Sequence, residues 1–257
     1  MNNIVKTTLF GLAVCLTCSC SDFLEEENHS KITQDFMSTP SGFGMALNSV
    51  YASLRTTYSY EEGIHGLMNP GTDELKNNIS GSNRCATIAN YDREQYNANN
   101  EYPRKLWNDA YININTLNFM IEHAAEVNVS TNALSAAQRD QYLGEAYFMR
   151  AFNYFQLVQQ FGDVTLTTTY NTSPSTSAER HDMVQVYEEV IIPDLLKAIE
   201  LCSPSPQLNN LESRRPSGAT ARHLLSRVYL TLGWVYDKNP GNPIYSGNTQ
   251  TKYYNPS

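Results

Sequence analysis

The sequence predicts a mainly α protein of stacked helical hairpins, with long irregular loops and one short strand element. Three observations carry this. Five separate stretches place apolar residues three and four apart, the spacing of one helical face. The third of them is apolar on nearly every face, as a helix at the centre of a domain must be. Small residues at Ala146, Ala151 and Ala221 leave room for helices to approach closely.

In chain order, Lys6 precedes the apolar run Leu9 to Leu16 and the small residues Thr17-Cys18-Ser19, followed by Cys20 and an acidic stretch ending in Glu25-Glu26-Glu27. The run is too short to span a bilayer and is flanked as an export signal is. A cysteine directly after small residues at its end reads as a bacterial lipoprotein signal, with Cys20 the acylated first residue of the mature chain; several fatty chains anchor more firmly than one. Residues 1–19 are therefore the expected signal peptide and residues 20–38 an extended acidic tether. Residues 39–257 are the expected helical domain.

Thr39-Pro40 announces the first helix, with proline at a first-turn position, and Phe43, Ala46, Leu47, Val50, Tyr51 and Leu54 form its face. From Tyr58 to Asn100 periodicity fails and Gly, Asn, Pro and Ser dominate, which marks a long functional or disordered loop. The second helix, near Glu101 to Val127, carries Trp107, Ala110, Tyr111, Ile114, Asn118, Ile121 and Ala125 on one stripe. Its Asn115 and Asn118 are expected to bond to backbone or to line a cavity.

Ser135 with Gln138 is a capping-box pattern for the third helix, and Gly162 is placed to end it in the left-handed conformation. Val164 to Thr169 reads as a short strand. Asp182 opens the fourth helix, faced by Val186, Tyr187, Val190, Ile191, Leu195, Ala198, Ile199 and Cys202, with Pro193 expected to kink it. The fifth begins near Ser217 and carries Ala221, Leu224, Leu225, Val228, Tyr229 and Leu232 before Gly233. Two long helices joined by a loop, occurring twice, suggest tetratricopeptide-like hairpins, although the pairs differ in length and lack a full repeat signature.

The formal net charge of −8 argues against nucleic acid, whose phosphates need a cationic surface. Of five cysteines, three lie in or at the end of the signal; Cys85 and Cys202 remain and could form one bridge in an oxidising compartment, but Cys202 sits on an apolar stripe and is expected to be a buried free thiol. No phosphate-binding glycine loop, zinc spacing or nucleophile elbow is present in the sequence, so neither a cofactor nor a metal is expected. Seventeen tyrosines and an Asn-dense region from 69 to 132 suit the gripping of neutral polar ligands. The acidic neighbours Asp73-Glu74 and Asp92 with Glu94 leave glycoside cleavage as an alternative, which needs geometry that spacing does not supply.

Five blocks occur in order: FMSTPSGFGMALNSVYASLR from Phe36, LWNDAYININTLNFMIE from Leu106, GEAYFMRAFNYFQLVQQFGDVTLTT from Gly144, VYEEVIIPDLLKAIEL from Val186 and SGATARHLLSRVYLTL from Ser217. Together they resemble the SusD/RagB family of nutrient-binding outer-membrane lipoproteins. The third block is the most specific, and Thr165 stands where that family usually has proline. The resemblance implies a tetratricopeptide-like fold on the outer face of the outer membrane. It also implies non-catalytic capture of glycans or other nutrients, with delivery to a TonB-dependent (SusC-like) transporter. The family's carboxy-terminal half is expected to be missing here.

A glycan site of that kind is shallow and aromatic, with sugar faces stacked on rings and hydroxyls bonded to Asn, Asp and Arg. The irregular region Gly63 to Asn100 is the place for it, with Asp73, Arg84, Asn90, Tyr91 and Tyr96 as candidate ligand residues. Trp107, Asn115, Asn118, Arg150 and Asp163 match better-defined family positions and read as structural. Arg150, on a nearly apolar helix, requires an acidic or carbonyl partner. A lipid-anchored scaffold that recruits proteins is the alternative of another class.

Overall fold

The computed structural model describes residues 34–58, 101–130, 133–173, 178–205 and 215–238. The helices are α1 (Gln34–Met37), α2 (Pro40–Thr57), α3 (Glu101–His123), α4 (Ala136–Phe161), α5 (Met183–Val186), α6 (Ile192–Leu201) and α7 (Gly218–Lys238). They stack in sequence: α2 packs on α3, α3 on α4, α4 on α6 and α6 on α7, with α4 in the middle. This is the expected stacked-hairpin architecture.

Each boundary has a local cause. The Thr39 hydroxyl accepts the Gly42 amide at 3.1 Å and starts α2, whose Phe43, Ala46, Leu47 and Val50 are buried. The Ser135–Gln138 capping box is formed in both directions, and Gly162, at φ 67°, closes α4. Asp182 caps α5 by accepting the Val184 amide at 2.8 Å.

Where the structure departs from the sequence reading, packing is the reason. Residues 34–37 coil into α1 instead of extending the tether, and Met37 joins the core. Gly42 permits this, because a Cβ there would sit 1.8 Å from the Phe36 carbonyl oxygen. After His123 the backbone tightens to a 3₁₀ turn, Ala124–Glu126, which buries Ala124 and turns the expected Ala125 outward. Where a kink is expected at Pro193, a π turn over Tyr187–Ile191 lies directly before α6. The Ile192 amide reaches back to the Tyr187 carbonyl, so the widened turn relieves the clash and the missing donor that proline brings to a regular helix.

Val164–Thr169 makes no strand; Val164 pairs with His181 in one isolated antiparallel bridge, and the segment then runs on as a strap. At the other end α7 does not stop at Gly233, which is buried within it, but continues to Lys238. An internal glycine weakens a helix by about 1 kcal/mol without ending it.

Cys202 is a buried free thiol packed against Gly144, as its place on the apolar stripe predicts. A Cβ on Gly144 would lie 2.8 Å from the Cys202 sulfur and 2.9 Å from its backbone nitrogen. That glycine is what lets α4 and α6 close at this end.

Candidate functional site

The residues named from the sequence for ligand binding, Asp73, Arg84, Asn90, Tyr91 and Tyr96, lie outside the described residues, as do Cys20, Asp92, Glu94 and Glu74. The described residues form the frame that flanks the 59–100 region. Its base is tied where α2 ends and α3 begins: the Thr57 hydroxyl donates to Asp109 at 2.8 Å, and Lys105 pairs with the same carboxylate at 3.1 Å. Beside this tie Tyr58 leans on Phe152, with ring centroids 6.1 Å apart, and Phe152 stacks on Phe148 one helical turn away. Among the described residues the buried Tyr58 hydroxyl has no hydrogen-bond partner, and burial holds its proton well above the ordinary phenol range.

The strap after α4 is held by side chains instead of by a neighbouring strand. Tyr111 donates to the Thr165 carbonyl at 2.7 Å, and Tyr154 both donates to the Thr167 carbonyl at 2.7 Å and accepts its amide at 2.9 Å. The Asn118 amide donates to the Thr167 and Thr169 carbonyls at 3.2 and 3.0 Å. Asn115 exchanges two hydrogen bonds with the Asn171 backbone, and Glu122 accepts the Tyr170 amide at 2.9 Å. With no partner strand beside it, the half-buried strap takes its backbone partners from a row of helix side chains. Burial pushes the Tyr111 phenol up to about 12.

Behind the strap, Arg150 makes the partnership its apolar setting demands. Its Nε and Nη2 donate to the two Asp194 oxygens at 2.7 and 2.8 Å, and its Nη1 donates to Asn118 at 2.8 Å. The pair joins α4 to α6, and both side chains are buried. Burial raises the Asp194 carboxyl against the pull of Arg150, whereas Asp194 outweighs burial at Arg150 and keeps the guanidinium charged. Asp163 accepts the Met183 amide at 3.1 Å, fixing the connection into α5, and Trp107 packs between Tyr111 and Phe161. Trp107, Asn115, Asn118, Arg150 and Asp163 thus do structural work, as their positions in the sequence suggest.

A second buried charge lies on the opposite side of α4. Glu145 is fully buried and accepts hydrogen bonds from Tyr51 at 2.6 Å, Arg215 at 2.9 Å and Gln141 at 3.0 Å. Sequence reasoning missed Glu145, Arg215, Asp194 and Tyr154 as members of these networks. A buried carboxylate on an apolar helix was the one visible signal, and spacing names no partner for it.

The Arg150 and Glu145 networks are bonded internally and hold the shape of the stack. Among the described residues no group of three His, Cys, Asp or Glu is placed to hold a metal ion, and no helix is long and apolar enough to cross a membrane.

A sequential stack of helices with buried charge pairs and a side-chain-bound strap defines a tetratricopeptide-like helical scaffold. More narrowly, the chain belongs to the SusD-like family, described as starch-binding and associating with the outer membrane, whose model matches residues 22–230. It is 30% identical over 236 residues to SusD-like protein P2 of Formosa agariphila, covering 89% of this chain and 43% of that protein. A SusD superfamily protein from Parabacteroides distasonis superposes with a TM-score of 0.59 at 26% identity, over 87% of this chain and 43% of the other. A laminarin-binding SusD-like protein gives 0.62 at 25% identity, over 79% and 44%. The chain thus spans less than half the length of these relatives.

Proposed function

We propose that this chain is a glycan-binding surface lipoprotein of the SusD type, which captures oligosaccharide without cleaving it and delivers it to a TonB-dependent, SusC-like transporter. The observation that carries the reading is the family match across residues 22–230, supported by the likeness to a laminarin-binding protein. On this reading residues 1–19 are removed as the signal and Cys20 carries the lipid. The acidic stretch from residue 20 up to the start of α1 spaces the helical domain from the outer leaflet.

The glycan then lies against residues 63–100, carried between the ends of α2 and α3, with Tyr91 and Tyr96 stacking on sugar faces and Asp73, Arg84 and Asn90 bonding hydroxyls.

Titration of the purified chain with laminarin and with starch oligosaccharides tests the reading. Saturable binding, weakened at least about tenfold by Tyr91→Ala, is the expected result for a stacking residue worth ~1.4 kcal/mol or more. Release of reducing sugar that Asp73→Asn or Glu74→Gln abolishes would establish a hydrolase instead. Binding to neither glycan would overturn the glycan reading for these two ligands, and Cys20→Ala leaving the protein membrane-bound in cells would overturn the anchor.

A further inference from the structure

The Glu145 network does more than neutralise a buried carboxylate, because its donors come from separate parts of the chain. Tyr51 lies on α2, Gln141 on α4 and Arg215 in the connection that leads into α7. Arg215 extends past Glu145 to donate to Asn48 of α2 at 3.0 Å. Its guanidinium sits between two rings, 5.6 Å from the Tyr51 centroid and 5.0 Å from that of Tyr142. A planar cation is suited to this double role, bonding in its plane and stacking on its faces.

The described ends of the α6–α7 connection are pinned to α4. Gln141 accepts the Ser203 amide at 2.7 Å and donates to the Pro216 carbonyl at 3.3 Å, so one side chain holds both of its ends. The Gly218 amide donates to the Ser203 carbonyl at 2.8 Å and the Ala219 amide to the Pro204 carbonyl at 3.1 Å, which closes the base. Arg215 therefore projects from a fixed point onto α2.

We propose that Glu145 and Arg215 form a clasp through which the segment 215–217, leading into α7, sets the position of α2, the helix from which the chain runs into residues 59–100. Arg215 is thus a positioning residue. Its link to ligand capture rests on the reading under Proposed function, whereas its effect on α2 does not.

Hydrogen exchange on the full chain tests the clasp. In Arg215→Met, which keeps an apolar stem without the charge, amides of α2 are expected to exchange about tenfold faster while those of α3 hold their rates. Unchanged exchange in α2, or an equal rise in α2, α3 and α6, would overturn the proposal. Should Arg215→Met not fold, Asn48→Ala removes the outer arm and leaves Glu145 paired. A rise of about threefold confined to α2 then supports the clasp, and no rise overturns it. The readout needs no glycan, so a parent protein that binds none defeats the functional reading and leaves the clasp standing or falling on its own.

Discussion

Arg150 shows what one charged residue does at the centre of a helical stack. Its two bonds to Asp194 and one to Asn118 link α4, α6 and α3, and through Asn118 they reach the strap. Breaking such a pair from one side strands the other charge in the interior, at about 3–5 kcal/mol. Arg150→Met should therefore lower unfolding free energy by that order in a denaturant titration. The double variant Arg150→Met with Asp194→Leu should regain much of the loss, since no unpaired charge remains. A double variant less stable than Arg150→Met would contradict this account. Tyr58 offers the converse case, a buried hydroxyl without a partner among the described residues. Removing such a group forfeits no bond, so Tyr58→Phe should leave stability unchanged or raise it by up to about 1 kcal/mol. A clear loss of thermal stability would show that the hydroxyl is bonded.

At the scale of elements, close approach is controlled by two glycines. Gly42 lets α1 fold back on α2, and Gly144 lets the end of α6 meet α4. Gly144→Ala improves helix propensity but drives a methyl against the Cys202 sulfur and backbone nitrogen, and backbone cannot swing aside as a side chain can. Overpacking should win, with a net loss of roughly 1–3 kcal/mol by thermal unfolding; a gain would mean that the two helices part freely. Helix starts were legible wherever the signal was local: Thr39, Ser135 and Asp182 all cap as their residue types suggest. The strand expected at Val164–Thr169 was not, because β-branched residues favour extended backbone whether or not a partner strand exists. Here helix side chains took the strap's carbonyls instead. Nor was the end of α7 legible, since the packing of Gly233 decides it.

For the molecule as a whole, buried acidic protons give stability a direction with pH. Burial pushes both the Cys202 thiol and the Tyr111 phenol up to about 12. Below their ordinary values both groups are protonated whether folded or not, and their contribution is fully present. As pH rises past about 9 the unfolded thiol begins to ionise while the folded one keeps its proton, and stability falls. Each such group gives a slope of up to about 1.4 kcal/mol per pH unit until its folded pKa is reached. Urea midpoints should therefore drop between pH 8.5 and 10.5, and Cys202→Ala should flatten the first part of the fall; a slope unchanged in the variant would remove the thiol from the account. Family membership was carried by blocks that span the core helices, and the matched residues bear it out. The candidate glycan residues, from Asp73 to Tyr96, fall between those helices and outside the described residues, so their selection stands as a proposal. What the sequence by itself determined is which residues face inward within the regular helices, from Phe43 and Leu47 to Val228 and Leu232, because helical periodicity is a local property of the chain; Ala125, beyond the end of α3, escapes it. Only the tertiary structure decided who meets whom. Arg150 needed a counter-ion on any reading, but its choice of Asp194 on α6, and that of Glu145 for Tyr51 and Arg215, depends on which surfaces the stacking brings together, and spacing along the chain carries no record of that.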